Sequence, residues 1–180
     1  MNFAMNEIII SQSPFENQEF MDQCHPLYKQ VINEILTKIN LELIEIDDWM
    51  ESCTYIDDCS VYAVPPKDEL TFHVLMHEIG HNFTYNLNNY EEICRILIDH
   101  RQGKYLSDNE IQLLLRNEQL AWDWALNQVE IYGFSANKLR KAIECFMNDN
   151  YTIRADKIRK TIEKIYQPSI FYHLKNIIKL

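Results

Sequence analysis

The segment from Asp68 to Asn86 constrains this chain most, because it has the pattern of a helix that is buried on one side. Its large apolar residues recur every three or four positions, which brings their side chains onto one helix face. They are Phe72, Leu75, Met76, Ile79 and Phe83. Gly80 lies inside the pattern, where glycine costs about 1 kcal/mol relative to alanine. We therefore predict a central helix with a packing or functional reason for Gly80.

The other side of this helix carries His77-Glu78-Ile79-Gly80-His81, an H-E-x-x-H pattern. Because His77 and His81 are one helical turn apart on one face, their imidazoles can bind one zinc ion. Glu78 lies about 100° further round the helix, which turns its carboxylate toward a metal-bound water. This arrangement predicts a zinc-dependent hydrolase, most simply a peptidase, with Glu78 as general base. The alternative is two histidines that make ordinary hydrogen bonds.

A catalytic zinc site needs a third protein ligand and an open position for water. The extended metzincin pattern is excluded, because it needs glycine and histidine where this chain has Thr84 and Leu87. Glu118 is the strongest candidate, because it is a lone carboxylate in the middle of an apolar helix face. That face consists of Ile111, Leu114, Leu115, Ala121, Trp122, Ala125 and Val129. A buried carboxylate needs a cation, so a salt bridge from Glu118 to Arg or Lys is the alternative.

Small residues beside Glu118 bear on how its helix packs. Ala121 and Ala125 would let this helix approach the H-E-x-x-H helix closely. Trp122 and Trp124 are expected to belong to the core rather than to a substrate platform.

Other polar residues are weaker candidates for the site. His73 is one turn before His77, so it is a candidate for supporting the ligands or binding substrate, although a satisfied core histidine is the favoured interpretation. It is not expected to be a ligand, because positions 73 and 81 are about 12 Å apart along the helix. Tyr85 is a further candidate for substrate contact. Candidates for stabilising an oxyanion are Tyr85, Tyr132 and His73. Weaker ligand candidates are Glu91, Glu92, Asp99 and His100, whereas Glu110, Asp123 and Glu130 are expected to be solvated.

The 180 residues contain no repeat, low-complexity tract or flexible linker, which predicts one domain over 1–180. The fold class is predicted to be α+β and predominantly helical, with a small sheet before the central helix. Helices are expected at 17–39, 68–86, 90–101, 107–132, from 135 onward and at 152–166, and strands at 41–46 and 60–64. In the first helix, Pro26 can delay the start. Ser107 to Glu110 has the form of a capping box, and Gly103 and Gly133 are expected to end helices.

Charge and cysteine usage narrow the function classes. From residue 138 onward, ten Lys or Arg face four acids, whereas the net charge of the whole chain is −10. The acidic body argues against nucleic-acid binding, and the basic helical portion at about 135–180 is expected to be solvated or to pack on that body. Five irregularly spaced cysteines predict reduced thiols, and no apolar run is long enough for a membrane span or signal peptide. We expect a cytoplasmic protein.

The segments His77–His81 and Asn117–Ala125 together resemble the ImmA/IrrE-type gluzincin metallopeptidases, in which an H-E-[LI]-G-H helix is followed by a helix with E-x-x-A. The resemblance covers about residues 60–130 and implies a zincin-like domain, with Zn²⁺ bound by His77, His81 and Glu118. It also implies an intracellular protein whose substrate is a protein or peptide, such as a helix-turn-helix repressor. The approach to the motif differs, because the family's R-F-T-x-A-H-E is replaced by Leu70-Thr71-Phe72-His73-Val74-Leu75-Met76 before His77.

Two other functions stay open at this point. One is a non-catalytic zinc-containing regulator that works by protein binding, although zinc binding alone would not require Glu78. The other is a toxin-like protease of a mobile element. In the peptidase interpretation, the strand at 60–64 is expected to line the cleft and to hold an extended peptide by main-chain hydrogen bonds.

Overall fold

The computed structural model describes residues 17–84, 90–148 and 155–166. The described chain is mostly helical with a small three-stranded sheet, which confirms the α+β prediction. The helices are α1 (Gln18–Asp22), α2 (Pro26–Leu36), α3 (Glu69–Thr84), α4 (Tyr90–Arg101), α5 (Asp108–Ile131), α6 (Asn137–Asn148) and α7 (Ala155–Tyr166). The strands are β1 (Glu42–Glu45), β2 (Cys53–Tyr55) and β3 (Ser60–Ala63), and one 3-10 turn, Trp49–Glu51, precedes β2.

The structure has two helices in the range 17–39, and the longer one starts at Pro26, the residue expected to delay a helix start there. Only the continuous helix through 17–39 is wrong. His25 is extended, with φ −60° and ψ 136°, and Pro26 is the first residue of α2. Proline has no N–H and its ring clashes with the preceding turn, so a continuous helix through Pro26 is disfavoured. The ring nitrogen Nδ1 of His25 accepts a hydrogen bond from the Leu27 N–H at 3.3 Å and caps the new helix.

The sheet has the order β1-β3-β2, with β1 parallel and β2 antiparallel to β3. The expectation that the strand at 60–64 would hold a peptide is wrong, because β3 is the middle strand and is paired on both sides. The strand β2 was not predicted, since three residues are too few to show an alternating pattern. Within the described chain β2 is an edge strand, and Thr54 at its centre contacts α3.

The helix α3 is the centre of the core, as predicted. Four of its five apolar-face residues, Phe72, Leu75, Met76 and Ile79, are fully buried. The fifth, Phe83, is half-buried and stacks on Trp124 of α5, with ring centroids 4.6 Å apart.

The helix α5 approaches α3 closely at Gly80. A Cβ atom at position 80 would lie 2.6 Å from the Ala121 carbonyl oxygen and 3.2 Å from Cε3 of Trp124. Real Cβ atoms do not come that near to a backbone oxygen, so only glycine fits. Ala121 and Ala125 are fully buried at the same interface. The predictions of a packing role for Gly80 and of a close approach of the two helices are therefore confirmed.

Replacing Gly80 with alanine is expected to lower the free energy of unfolding by about 1–3 kcal/mol, because the new methyl group overpacks the interface. The gain in helix propensity, about 1 kcal/mol, is too small to offset this. Because α5 also carries Glu118, we expect weaker zinc binding as well. Urea denaturation and zinc analysis measure the two effects.

Gly103→Ala is the matched control. Gly103 has φ +80°, and a methyl group at this position would have no neighbouring atom within 4 Å, so its replacement strains the backbone without touching the interface. It should lower stability and leave zinc content unchanged. A Gly80→Ala protein with the stability and zinc content of the wild type would contradict a packing role for Gly80.

The ends of the helices follow the sequence. Ser107 and Glu110 form the predicted capping box at the start of α5. Gly103 and Gly133 follow α4 and α5 with φ of +80° and +77°, values that favour glycine over other residues.

The basic C-terminal helices pack on acidic groups of the body, as one of the two sequence interpretations expected. Lys138 pairs with Glu69 of α3 at 2.5 Å, and Arg159 pairs with Asp48 at 2.5 Å. Ile162 of α7 is fully buried. In the described ranges, no helix is both long enough and apolar enough to cross a membrane.

Candidate metal centre

Three side chains from α3 and α5 converge at one point. The Nε2 atoms of His77 and His81 are 3.2 Å apart, and the Glu118 carboxylate oxygens lie 3.1 Å and 3.7 Å from them, respectively. Ligand atoms about 2.0–2.1 Å from a tetrahedral zinc ion are about 3.3 Å apart from one another. The separations therefore fit a divalent metal ion, and the group could hold one.

Glu118 forms no ion pair with Lys or Arg in the described ranges, and its ionic partners there are His77 and His81. About a third of its side chain is exposed, so it is less buried than expected. Burial by itself would raise the pKa of Glu118, but the nearby charge of His81 and a hydrogen bond from His77 outweigh that effect and lower the pKa. The carboxylate thus stays ionised. Burial lowers the pKa of His81, against the opposing effect of the Glu118 carboxylate.

The weaker ligand candidates lie elsewhere. Asp99 pairs with Arg95 and Lys104. Glu110, which was expected to be solvated, is instead partly buried, pairs with Arg95 and caps α5. The side chains of Glu91, Glu92 and His100 are exposed, as are Asp123 and Glu130, whose solvation is confirmed.

Two further residues hold the histidines. Trp122 stacks on the ring of His77 with centroids 3.7 Å apart and planes 18° apart. Trp122 is buried in the core, as expected, but it also forms part of the site. The amide nitrogen of Asn117 lies 3.4 Å from Nδ1 of His81. Both contacts orient a ring whose Nε2 faces the metal position. The available signal in the sequence was that Asn117 directly precedes Glu118 and that Trp122 follows it by one helical turn.

Glu78 lies beside the group, almost fully buried. Burial, aided by the Glu118 carboxylate, raises the pKa of Glu78 to about 7, against the opposing effects of His81 and a hydrogen bond from Thr54. A carboxyl group with a pKa near neutral is suited to accept and return a proton.

Thr54 connects the edge strand β2 to Glu78. Its hydroxyl oxygen lies 2.7 Å from the Glu78 carbonyl oxygen and 3.1 Å from Oε2 of the same residue, so it can donate to either. No sequence pattern indicates this contact, because it joins a short strand to a helix 24 residues later.

Thr54→Val is expected to lower kcat for any reaction that uses Glu78 by about 10- to 100-fold, since a poorly positioned group can cost a factor of that size. Zinc content should not change, because the Thr54 hydroxyl bonds to Glu78 rather than to one of the three ligand side chains. Steady-state kinetics measure kcat and KM, and Thr54→Ser should restore most of the rate.

Thr84→Val is the matched control for Thr54. The Thr84 hydroxyl donates to the Gly80 carbonyl of the same helix at 2.9 Å, so this variant also loses a buried hydrogen bond to α3. We expect lower stability and an unchanged kcat. Equal losses of kcat in the two valine variants would show that Thr54 has only a structural role.

A cleft of about 270 Å³ opens in front of the group. His77, Glu78 and Glu118 lie at its polar end. The remaining lining is mostly apolar and comes from the 3-10 turn, α3, α5 and α6: Trp49, Met50, Ser52, Val74, Leu115, Trp122, Phe146 and Met147.

The other predicted site residues are not brought to this cleft. His73 is fully buried, and its Nδ1 lies 2.6 Å from the Tyr166 hydroxyl oxygen, as expected of a core histidine. Only one ring nitrogen is satisfied, because Nε2 has no hydrogen-bond partner among the described residues. Because His73 bonds to Tyr166 rather than to one of the three ligand side chains, this contact does not support a role for His73 in orienting the ligands. Tyr132 interacts with Glu34 of α2 and does not line the cleft. Tyr85 lies outside the described residues.

Comparison of the chain with protein-family models, with curated proteins and with solved structures finds no match.

Proposed function

We propose that this protein is a zinc metallopeptidase with a zincin-like fold, related to the ImmA/IrrE-type gluzincins. The observation that carries the proposal is the convergence of His77, His81 and Glu118 beside a buried glutamate. A regulator that only bound zinc would need the three ligands, but it would gain nothing from a desolvated carboxyl group next to them. Glu78 therefore favours a hydrolase over the non-catalytic alternative.

In the proposed reaction, His77, His81 and Glu118 would hold the zinc ion, which would supply Lewis acidity for activating water and polarising a carbonyl group. Glu78 accepts a proton from the attacking water as the new C–O bond forms, and it passes that proton to the nitrogen as the C–N bond breaks. Thr54 holds the Glu78 carboxylate in position. The products are a carboxylic acid and an amine, so the atoms of one water balance the reaction.

The outer side of β2, which is an edge strand among the described residues, is the proposed place for the substrate backbone. An extended peptide can add to an edge strand by main-chain hydrogen bonds, and β2 carries the Thr54 that contacts Glu78. A protein substrate such as a repressor would then present a locally unfolded or flexible segment.

The test is hydrolysis of a mixed pool of peptides by the zinc-loaded protein, followed by mass spectrometry. We expect defined cleavage products that disappear with a zinc chelator and return on addition of zinc. Stoichiometric zinc without cleavage of any peptide or of a repressor protein would favour the non-catalytic regulator.

A further inference from the structure

Two walls of the cleft come from segments outside the region on which the family resemblance rests. On one side, α6 contributes Phe146 and Met147, and on the other the 3-10 turn contributes Trp49 and Met50. The ring of Phe146 stacks on Trp122, with centroids 5.2 Å apart and planes 17° apart. Because Trp122 in turn stacks on His77, the apolar wall continues directly from the metal position.

The charged groups are confined to one end of the cleft. Its acidic lining residues, Glu78 and Glu118, lie beside the histidines, and no Lys or Arg is among the lining residues of the described chain. An acidic substrate side chain would meet two carboxylates. A basic substrate side chain would be desolvated by the apolar wall. It could not pair with the two carboxylates, because they are needed for metal binding and proton transfer. Burying an unpaired charge is costly, so the lining disfavours both.

The size of the cleft limits what can enter it. A volume of about 270 Å³ corresponds to about nine water molecules at roughly 30 Å³ each. That is room for one large side chain with its neighbouring backbone. One turn of an α-helix, about 10–12 Å across and 5.4 Å long, occupies about 500 Å³, which is more than the cleft holds. The occupant is therefore an extended segment with one bulky residue.

We propose that this cleft selects peptides with a large apolar residue, such as Phe, Leu or Met, next to the bond that is cut, and that Phe146 and Met147 determine this selection. The inference rests on the proposed function, because it names the substrate class of the same site.

The first experiment varies the residues on either side of a bond found in the peptide pool. In otherwise identical peptides, we expect kcat/KM for Phe or Leu at one of the two positions to exceed that for Asp or Lys by about 100-fold or more. We expect kcat/KM for Ala at that position to be about 10-fold or more below that for Leu, because Ala lacks several methylene and methyl groups. Equal rates for all residues, or a preference for a charged one, would overturn the inference and leave the peptidase proposal intact.

The second experiment assigns the selection to α6. Phe146→Ala and Met147→Ala should each reduce the Phe-to-Ala ratio of kcat/KM by about 5-fold or more. Phe134→Ala is the matched control, because Phe134 packs on Tyr28 and Phe72 and does not line the cleft. The Phe-to-Ala ratio of kcat/KM for Phe134→Ala should equal that of the wild type. An unchanged Phe-to-Ala ratio of kcat/KM in both α6 variants would overturn the assignment of the selection to α6. If Phe146→Ala does not fold, Met147→Ala still tests the assignment, because it removes less packing.

A binding measurement separates this inference from the proposed function. Trp49 and Trp122 line the cleft, so their fluorescence reports its occupancy without any reaction. We expect N-acetyl-phenylalanine amide to bind the metal-free protein at least about 10-fold more tightly than N-acetyl-aspartate amide, and Phe146→Ala to weaken only the former. If no peptide is cleaved but this selectivity is found, the peptidase proposal fails and the apolar cleft stands. Without selectivity, the inference fails.

Discussion

Glu118→Ala is expected to bind zinc at least about 100-fold more weakly than the wild type. Loss of groups that merely support a ligand already costs about 10- to 100-fold, and this change removes a ligand itself. It would leave His77 and His81, whose Nε2 atoms are 3.2 Å apart, without the anionic partner that now faces both. Zinc per chain after dialysis, and competition with a chromophoric chelator, measure the loss.

Asp123→Ala is the control for this variant. Asp123 is on the same helix, exposed, and accepts a hydrogen bond from Gln119 at 2.7 Å. It removes the same kind of charge from α5 without touching the group, so its zinc affinity should equal that of the wild type. If Glu118→Ala and Asp123→Ala both retained full affinity, the third ligand would have to be another residue.

The second large effect is expected for Glu78→Gln, which should lower kcat by about 1,000-fold or more and leave about one zinc per chain. Proton transfer by a positioned side chain contributes roughly 100- to 10,000-fold, and an amide cannot accept the proton. The amide keeps the size of the carboxyl group, so the packing around this almost fully buried position is conserved. Single-turnover kinetics on the zinc-loaded variant measure the loss.

Glu69→Gln serves as the control on the same helix. It alters a partly exposed ion pair with Lys138, and such pairs contribute little to stability. Its kcat should match the wild type. A Glu78→Gln protein that cleaved peptides at the wild-type rate would remove Glu78 from the mechanism while leaving the metal site in place.

The parts of the fold and site that could be predicted are those encoded by local periodicity. The apolar face of α3, the glycine at its closest approach to α5 and the capping box of α5 all follow from residues within a few turns of each other. Glu118 could be found because a lone carboxylate interrupts an otherwise apolar face.

The rest depends on contacts between distant segments. Thr54 is in a three-residue strand, too short for a pattern, and meets a helix 24 residues later. Phe146 and Met147 look like ordinary apolar positions of an amphipathic helix, and only the packing of α6 places them in the cleft. The short helix α1 was not predicted as a separate element, because Pro26 was expected only to delay the start of one helix.

X-ray absorption at the zinc edge tests the proposed metal site most directly, because it reports the ligand atoms themselves. The five cysteines lie in the described ranges and form no disulfide there, and thiolates are the strongest rival ligands for zinc. We expect nitrogen and oxygen neighbours at about 2.0–2.1 Å, with the multiple-scattering pattern of two imidazoles and no sulfur. A sulfur neighbour at about 2.3 Å would place the zinc at cysteines and contradict the His77–His81–Glu118 site.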